Sequence, residues 1–111
     1  MKVPPDAIIP FEKITEYLLV PRKWDDKSKF LAQAGFLRDN PELLLRAIRK
    51  LAADVDAVED RTNEYGVFLR VEGEIQGPNG RGLQVVTVWL RWHVGGQVRF
   101  VTLKPRKEKK S

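Results

Sequence analysis

Arg70, Arg91, Thr102 and Lys29 are side chains suited to work on a phosphate, and Phe68, Thr87, Trp89 and Phe100 are suited to hold a base beside it. Guanidinium forks and an ammonium neutralise phosphate oxygens, while aromatic faces stack on unpaired bases. Two turns decide whether these residues meet. Pro78-Asn79-Gly80-Arg81 and Val94-Gly95-Gly96-Gln97 carry Asn-Gly and Gly-Gly, the two-residue hairpin signals, because types I′ and II′ need positive φ. With those loops Val71 faces Val88, Val88 faces Leu103, Leu69 faces Leu90 and Val67 faces Trp92. One face of a three-stranded meander is then apolar. The other reads Glu72–Thr87–Lys104, Arg70–Trp89–Thr102 and Phe68–Arg91–Phe100, since side chains alternate along a strand. Arg91 would stack between two phenylalanines, and Lys29 or Lys27 would reach in from the helical half.

Several other chemistries are excluded. There is no cysteine, so no disulfide framework or thiolate metal site exists, and the chain suits a reducing cytoplasm. The single histidine, His93, would lie about 20 Å along its strand from Glu72, at roughly 3.3 Å per residue, so the two cannot share a phosphate. Ser28 and Ser111 have no histidine near them. Asp54 to Asp60 is acidic but lacks the glycine and oxygen spacing of a calcium loop, and reads as a solvated helix-to-strand connection. Gly77 to Gly82 is turn chemistry, with no Gly-Lys-Ser/Thr to make a phosphate loop. No metal and no cofactor are expected. No apolar run resembles a signal peptide or approaches the roughly 20 residues of a membrane span, which points to the cytoplasm.

The strands, about 64–76, 83–94 and 97–104, need a layer to cover their apolar face. Helical spacing predicts one over about 11–20, from Phe11, Ile14, Tyr17 and Leu18, ended by Pro21. A second, about 26–34, has Asp25 or Asp26 to cap it and Gly35 for its left-handed C′ position. A third, about 41–55, has Asn40 as cap, Pro41 at its first position, Glu42 at the positive dipole end, and a stripe of Leu44, Ile48, Leu51, Ala52 and Val55. Helices followed by a run of strands make an α+β fold. The 111 residues support one domain, 1–103, with a basic, disordered tail at 104–111. That tail holds five Lys/Arg and one Glu out of totals of 20 and 15, leaving 15 and 14 for the rest. The body is nearly neutral, so the pI near 9.7 overstates how basic it is.

The order of these pieces resembles an uncharacterised family of small bacterial domains. The resemblance rests on Glu16-Tyr17-Leu18-Leu19, Lys27-Ser28-Lys29-Phe30, Gly35-Phe36, Tyr65-Gly66, Gly77-Pro78-Asn79-Gly80, Thr87-Val88-Trp89 and Arg99-Phe100-Val101-Thr102. It covers about residues 8 to 105. The family's closing Thr-Ala-Tyr-Pro is Thr102-Leu103-Lys104-Pro105 here. Such domains occur alone or at the end of polymorphic-toxin-type proteins, and their layout is similar to that of barnase-like and colicin-type ribonuclease toxins. The resemblance implies a metal-independent, RNA-acting module, and the sheet register then makes Arg70, Arg91, Thr102 and Lys29 its catalytic residues and sets Phe68, Thr87, Trp89 and Phe100 against the substrate. The alternative is a protein-interaction module, with the same aromatic–arginine face as its hot spot. Its partner would be a small acidic antitoxin or immunity-like protein, or a second copy in a homodimer.

Overall fold

The computed structural model describes residues 1–23 and 26–106. A helix α1 (Phe11–Lys13) runs straight into a π-helical segment (Ile14–Leu18), followed by α2 (Ser28–Ala32) and α3 (Pro41–Asp54). Four strands follow, β1 (Val58–Thr62), β2 (Gly66–Gln76), β3 (Gly82–Trp92) and β4 (Val98–Pro105), paired antiparallel in the order β1-β2-β3-β4. This is the α+β layout expected, with one more strand than the periodicity announces. All five residues of β1 are exposed. With no side chain to bury it shows no apolar alternation, and main-chain pairing to β2 alone makes it a strand. Among the described residues no helix is long and apolar enough to cross a membrane.

Each helix forms for reasons its residues supply. In α3 the buried side chains are Leu44, Ile48, Leu51 and Ala52, one stripe at helical spacing. They lie across β2, where Gly73 leaves room for Leu51 and Val55; a Cβ there would stand 2.8 Å from Leu51 Cδ1. Pro41 opens the helix as expected. Asn40 does not cap it, because its Oδ1 accepts the Leu37 N–H instead, at 2.8 Å. Asp26 Oδ1 accepts both the N–H and the hydroxyl of Ser28, at 2.8 and 2.6 Å, at the mouth of α2. Asp25 lies outside the described residues. Gly35 has φ +91°, and the Phe36 N–H returns to the Leu31 carbonyl, closing α2 in a Schellman turn.

The register of the meander differs from the expected one by a single residue between β2 and β3. Gln76 pairs with Gly82, Val71 with Thr87 and Leu69 with Trp89. A two-residue loop would require the N–H of residue 78 to bond the Arg81 carbonyl, and Pro78 has none. Gly77 makes that bond instead, at 2.9 Å, and the Gly80 N–H reaches the Gly77 carbonyl at 3.0 Å. The loop is therefore Pro78-Asn79-Gly80, with Gly80 at φ +87°, the three-residue hairpin that ends in a left-handed residue. The second turn is also longer, since the Trp92 N–H bonds the Gln97 carbonyl across four residues. Thr87 then pairs with Leu103, Val88 with Thr102, and Trp89 with Phe100. Val101 has no partner of its own, so β4 carries a bulge there.

The helix-facing layer of the sheet is consequently Leu69, Val71 and Ile75, then Leu83, Val85, Thr87 and Trp89, then Val98, Phe100 and Leu103, all buried. Val88 and Leu90, expected inside, sit on the opposite face with Arg70 and Phe68 and are half-buried. The end of the chain is also more ordered than expected. Lys104 and Pro105 belong to β4, and the Arg106 N–H bonds the Gln84 carbonyl at 2.9 Å; the rest of the expected tail, 107–111, lies outside the described residues. Val85→Asp should unfold the domain by burying an unpaired charge, whereas Val88→Thr should cost under about 1 kcal/mol. Urea denaturation compares them directly. A larger loss for Val88→Thr would restore the two-residue register.

Candidate functional site

The one-residue difference in register divides the expected site. Thr87, Trp89 and Phe100 are core residues, with Trp89 only 1% exposed. The Trp89 Nε1–H donates to Thr87 Oγ1 at 2.9 Å, and that hydroxyl donates to the Val71 carbonyl at 3.1 Å. The Trp89 and Phe100 rings meet edge to face with centroids 5.4 Å apart. These three side chains meet one another inside the core and present no face to a base. Arg91 is not between Phe68 and Phe100. It pairs with Val67 and Val98, and its guanidinium faces Glu59 at 3.7 Å and Met1 Sδ at 3.7 Å. A guanidinium does lie over the Phe68 ring, but it is that of Arg61, 5.6 Å from the centroid.

Arg70 and Phe68 do lie on the face away from the helices. Arg70 is held by two carboxylates, Asp60 at 3.7 Å and Glu72 at 3.5 Å, and its buried Nε–H has no hydrogen-bond partner. Its charge is balanced locally. Lys29 is exposed on α2. His93 belongs to the second turn, with Nε2 3.1 Å from the Asn63 carbonyl oxygen.

Thr102, however, is part of a polar cluster. Lys27, 9% exposed, donates from Nζ to Thr102 Oγ1 at 3.1 Å and to the Tyr17 hydroxyl at 3.1 Å. Among the described residues, cations lie over the Tyr17 ring with Arg22 Cζ at 4.7 Å, Lys27 Nζ at 5.1 Å and Lys13 Nζ at 5.8 Å from its centroid. Each can be drawn to the negative face of the ring. Sequence reasoning reached Thr102 and Lys27 but missed Tyr17, Arg22 and Lys13. The signals were the Tyr-Leu-Leu and Lys-x-Lys-Phe segments, which this contact brings together.

Local irregularity positions each partner. Tyr17 sits in the π-helical segment, whose wide turn is marked by the Leu19 N–H reaching back to Ile14; such turns are frequent at functional sites. Thr102 follows the unpaired Val101, and a bulge re-aims the side chains beside it. Lys27 is the residue before α2, held by the Asp26–Ser28 bonds. The arrangement offers an ammonium and two hydroxyls at one point, with a guanidinium alongside. It can bind a phosphodiester oxygen, stabilise charge that develops there, and pass a proton through a hydroxyl.

The Asp26 carboxyl is held below its usual range, first by the Ser28 hydroxyl and then by the Ser28 N–H. Because the folded value is the lower one, its contribution to stability exists above the ordinary carboxylate pKa and disappears as pH falls through the folded value. Asp26→Asn should therefore lower the urea midpoint at pH 6, and the gap to wild type should close in acid. A gap independent of pH would remove the carboxylate charge from the account.

Residues 4–107 match the family model of a domain of unknown function, DUF6883. None of the curated proteins matches the chain. Among solved structures, one chain of a contact-dependent growth inhibition toxin–immunity protein complex from Klebsiella pneumoniae 342 aligns with a TM-score of 0.70 and 20% identity. The alignment covers 90% of this chain and 100% of that one. At that identity the likeness is one of fold.

Proposed function

The chain belongs to the DUF6883 family, and from its polar cluster and its fold likeness to one chain of a toxin–immunity protein complex we propose that it is a toxin-type domain that acts on RNA. Its chemistry is assigned to Lys27, Tyr17 and Thr102 rather than to the wider set of arginines. The observation that carries this reading is the buried Lys27 ammonium held between two hydroxyls, with Arg22 and Lys13 around the same ring. An ammonium set beside two hydroxyls can take a phosphate oxygen through a charge-assisted hydrogen bond. In RNA cleavage the Lys27 ammonium stabilises the charge on phosphorus-bound oxygens, with Arg22 as a second donor. The Tyr17 hydroxyl, which accepts from Lys27, serves as the acid for the leaving group.

A second reading has its own observation. Phe68, Val88, Leu90 and Trp92 are half-buried on the face away from the helices, and Tyr65, 55% exposed, packs edge-on to Trp92. Aromatic and arginine side chains on one open face suit a protein partner. A small acidic protein of immunity type would fit there, as would a second copy.

The test incubates purified protein with total RNA. Wild type should degrade it, and Lys27→Met and Thr102→Val should each lose at least about 100-fold in rate, the scale of removing a group that stabilises transition-state charge. Trp92→Ala should cut normally. RNA left intact by folded, partner-free protein would overturn the RNA reading. Loss of a gel-filtration complex in Trp92→Ala would establish the partner face.

A further inference from the structure

A cavity of about 400 Å³ lies between the N-terminal segment, α3 and β3, and none of its residues belongs to the Lys27 cluster. Its walls are Val3, Pro4, Pro5, Ala52, Ala53 and Trp89, with Lys2 and Arg49 the only charged side chains among its lining residues. Its size is within the roughly 300–1,000 Å³ of pockets that hold small molecules, and its lining has their character, apolar with few polar groups.

The polar groups around the cavity specify what it would accept. Trp89, almost wholly buried, closes the floor with its Nε1–H committed to Thr87, so it adds no polar group. The Lys2 ammonium is committed to the Asp54 carbonyl at 2.8 Å and the Asp56 carboxylate at 3.4 Å. Arg49 gives one N–H to the Ala7 carbonyl at 3.0 Å. A guanidinium carries five N–H groups in a planar fork, and those not used there can take a carboxylate, sulfonate or phosphate edge-on.

We propose that this cavity is a binding site for a small organic anion, with its apolar body against Pro4, Pro5 and Ala53 and its acidic group on Arg49. The inference is independent of the RNA reading and survives if that reading fails. Ala53 is exposed on α3, so lengthening it fills the cavity without entering the core.

The probe is 1-anilinonaphthalene-8-sulfonate, titrated into the full chain by fluorescence, with the uncharged N-phenyl-1-naphthylamine as its partner compound. Wild type should bind the sulfonate saturably at one site and shift the Trp89 indole N–H resonance. Arg49→Gln should weaken the sulfonate about tenfold, the worth of one charge-assisted hydrogen bond, and leave the uncharged compound unchanged. Ala53→Leu should abolish both while circular dichroism stays native. Sulfonate binding that is unsaturable, unaffected by Ala53→Leu, or weakened equally with the neutral compound in Arg49→Gln would overturn the site. Should Ala53→Leu fail to fold, the Arg49→Gln comparison and the Trp89 resonance still decide.

Discussion

The main-chain bond from the Gly77 N–H to the Arg81 carbonyl sets the phase of β3, and with it every contact across the sheet. With that bond in place Trp89 and Thr87 face the helices. The largest side chain of the core then brings a polar N–H with it, which Thr87 accepts while donating to Val71. Both groups are satisfied, so the indole contributes its full apolar area; an orphaned N–H there would cost about 1–3 kcal/mol. The same hairpin tip reaches the helical layer, where the Asn79 N–H and Nδ2 bond the Ala34 and Gln33 carbonyls. Gly77 must lack a Cβ, since one would collide with the Ala34 carbonyl.

That docking matters for the candidate site because α2 is only five residues long and too short to hold itself. It is tied at its C-terminal end to the hairpin tip and at its N-terminal end by Lys27 to Thr102. Lys27 is thus fixed by the sheet from both directions. Its two hydroxyl partners each come from an irregularity, the π-helical segment for Tyr17 and the bulged strand for Thr102. Regular elements would satisfy the backbone more simply. Two departures from regularity thus meet at one ammonium, and such irregular turns and bulges aim side chains that a regular element would not.

The elements were legible where a side-chain period or a backbone requirement exposed them. The α3 stripe, Gly35 and the inward Leu103 all belong to this class. The phase of β3 was not legible from hydrophobicity, because Leu83, Val85 and Trp89 on one face and Val86, Val88, Leu90 and Trp92 on the other are both apolar. Matching apolar residues across a hairpin therefore accepts either register. Pro78 held the information that apolar pairing lacked, since it cannot donate the bond that a two-residue loop demands. β1 was illegible because it buries nothing. Thr102 was named from a register row with Arg70 and Trp89 that the structure does not keep, while Tyr17 read as a core aromatic at helical spacing, and only the fold turns its hydroxyl to Lys27.

Net charge is a poor guide to what such a domain meets. Away from residues 104–111 the chain carries 15 basic and 14 acidic residues, and at a distance those nearly cancel. At physiological ionic strength fields decay over about 8 Å, so a phosphate at the surface responds to what lies within that radius. Around Tyr17 the cations of Lys13, Arg22 and Lys27 stand between 4.7 and 5.8 Å from one ring centroid. Arg70, by contrast, sits between Asp60 and Glu72, and Arg91 faces Glu59. Arg70 and Arg91 on the sheet thus stand opposite carboxylates, while Lys13, Arg22 and Lys27 gather around one aromatic ring. The local arrangement of charge, and not its total, is what an approaching ion meets.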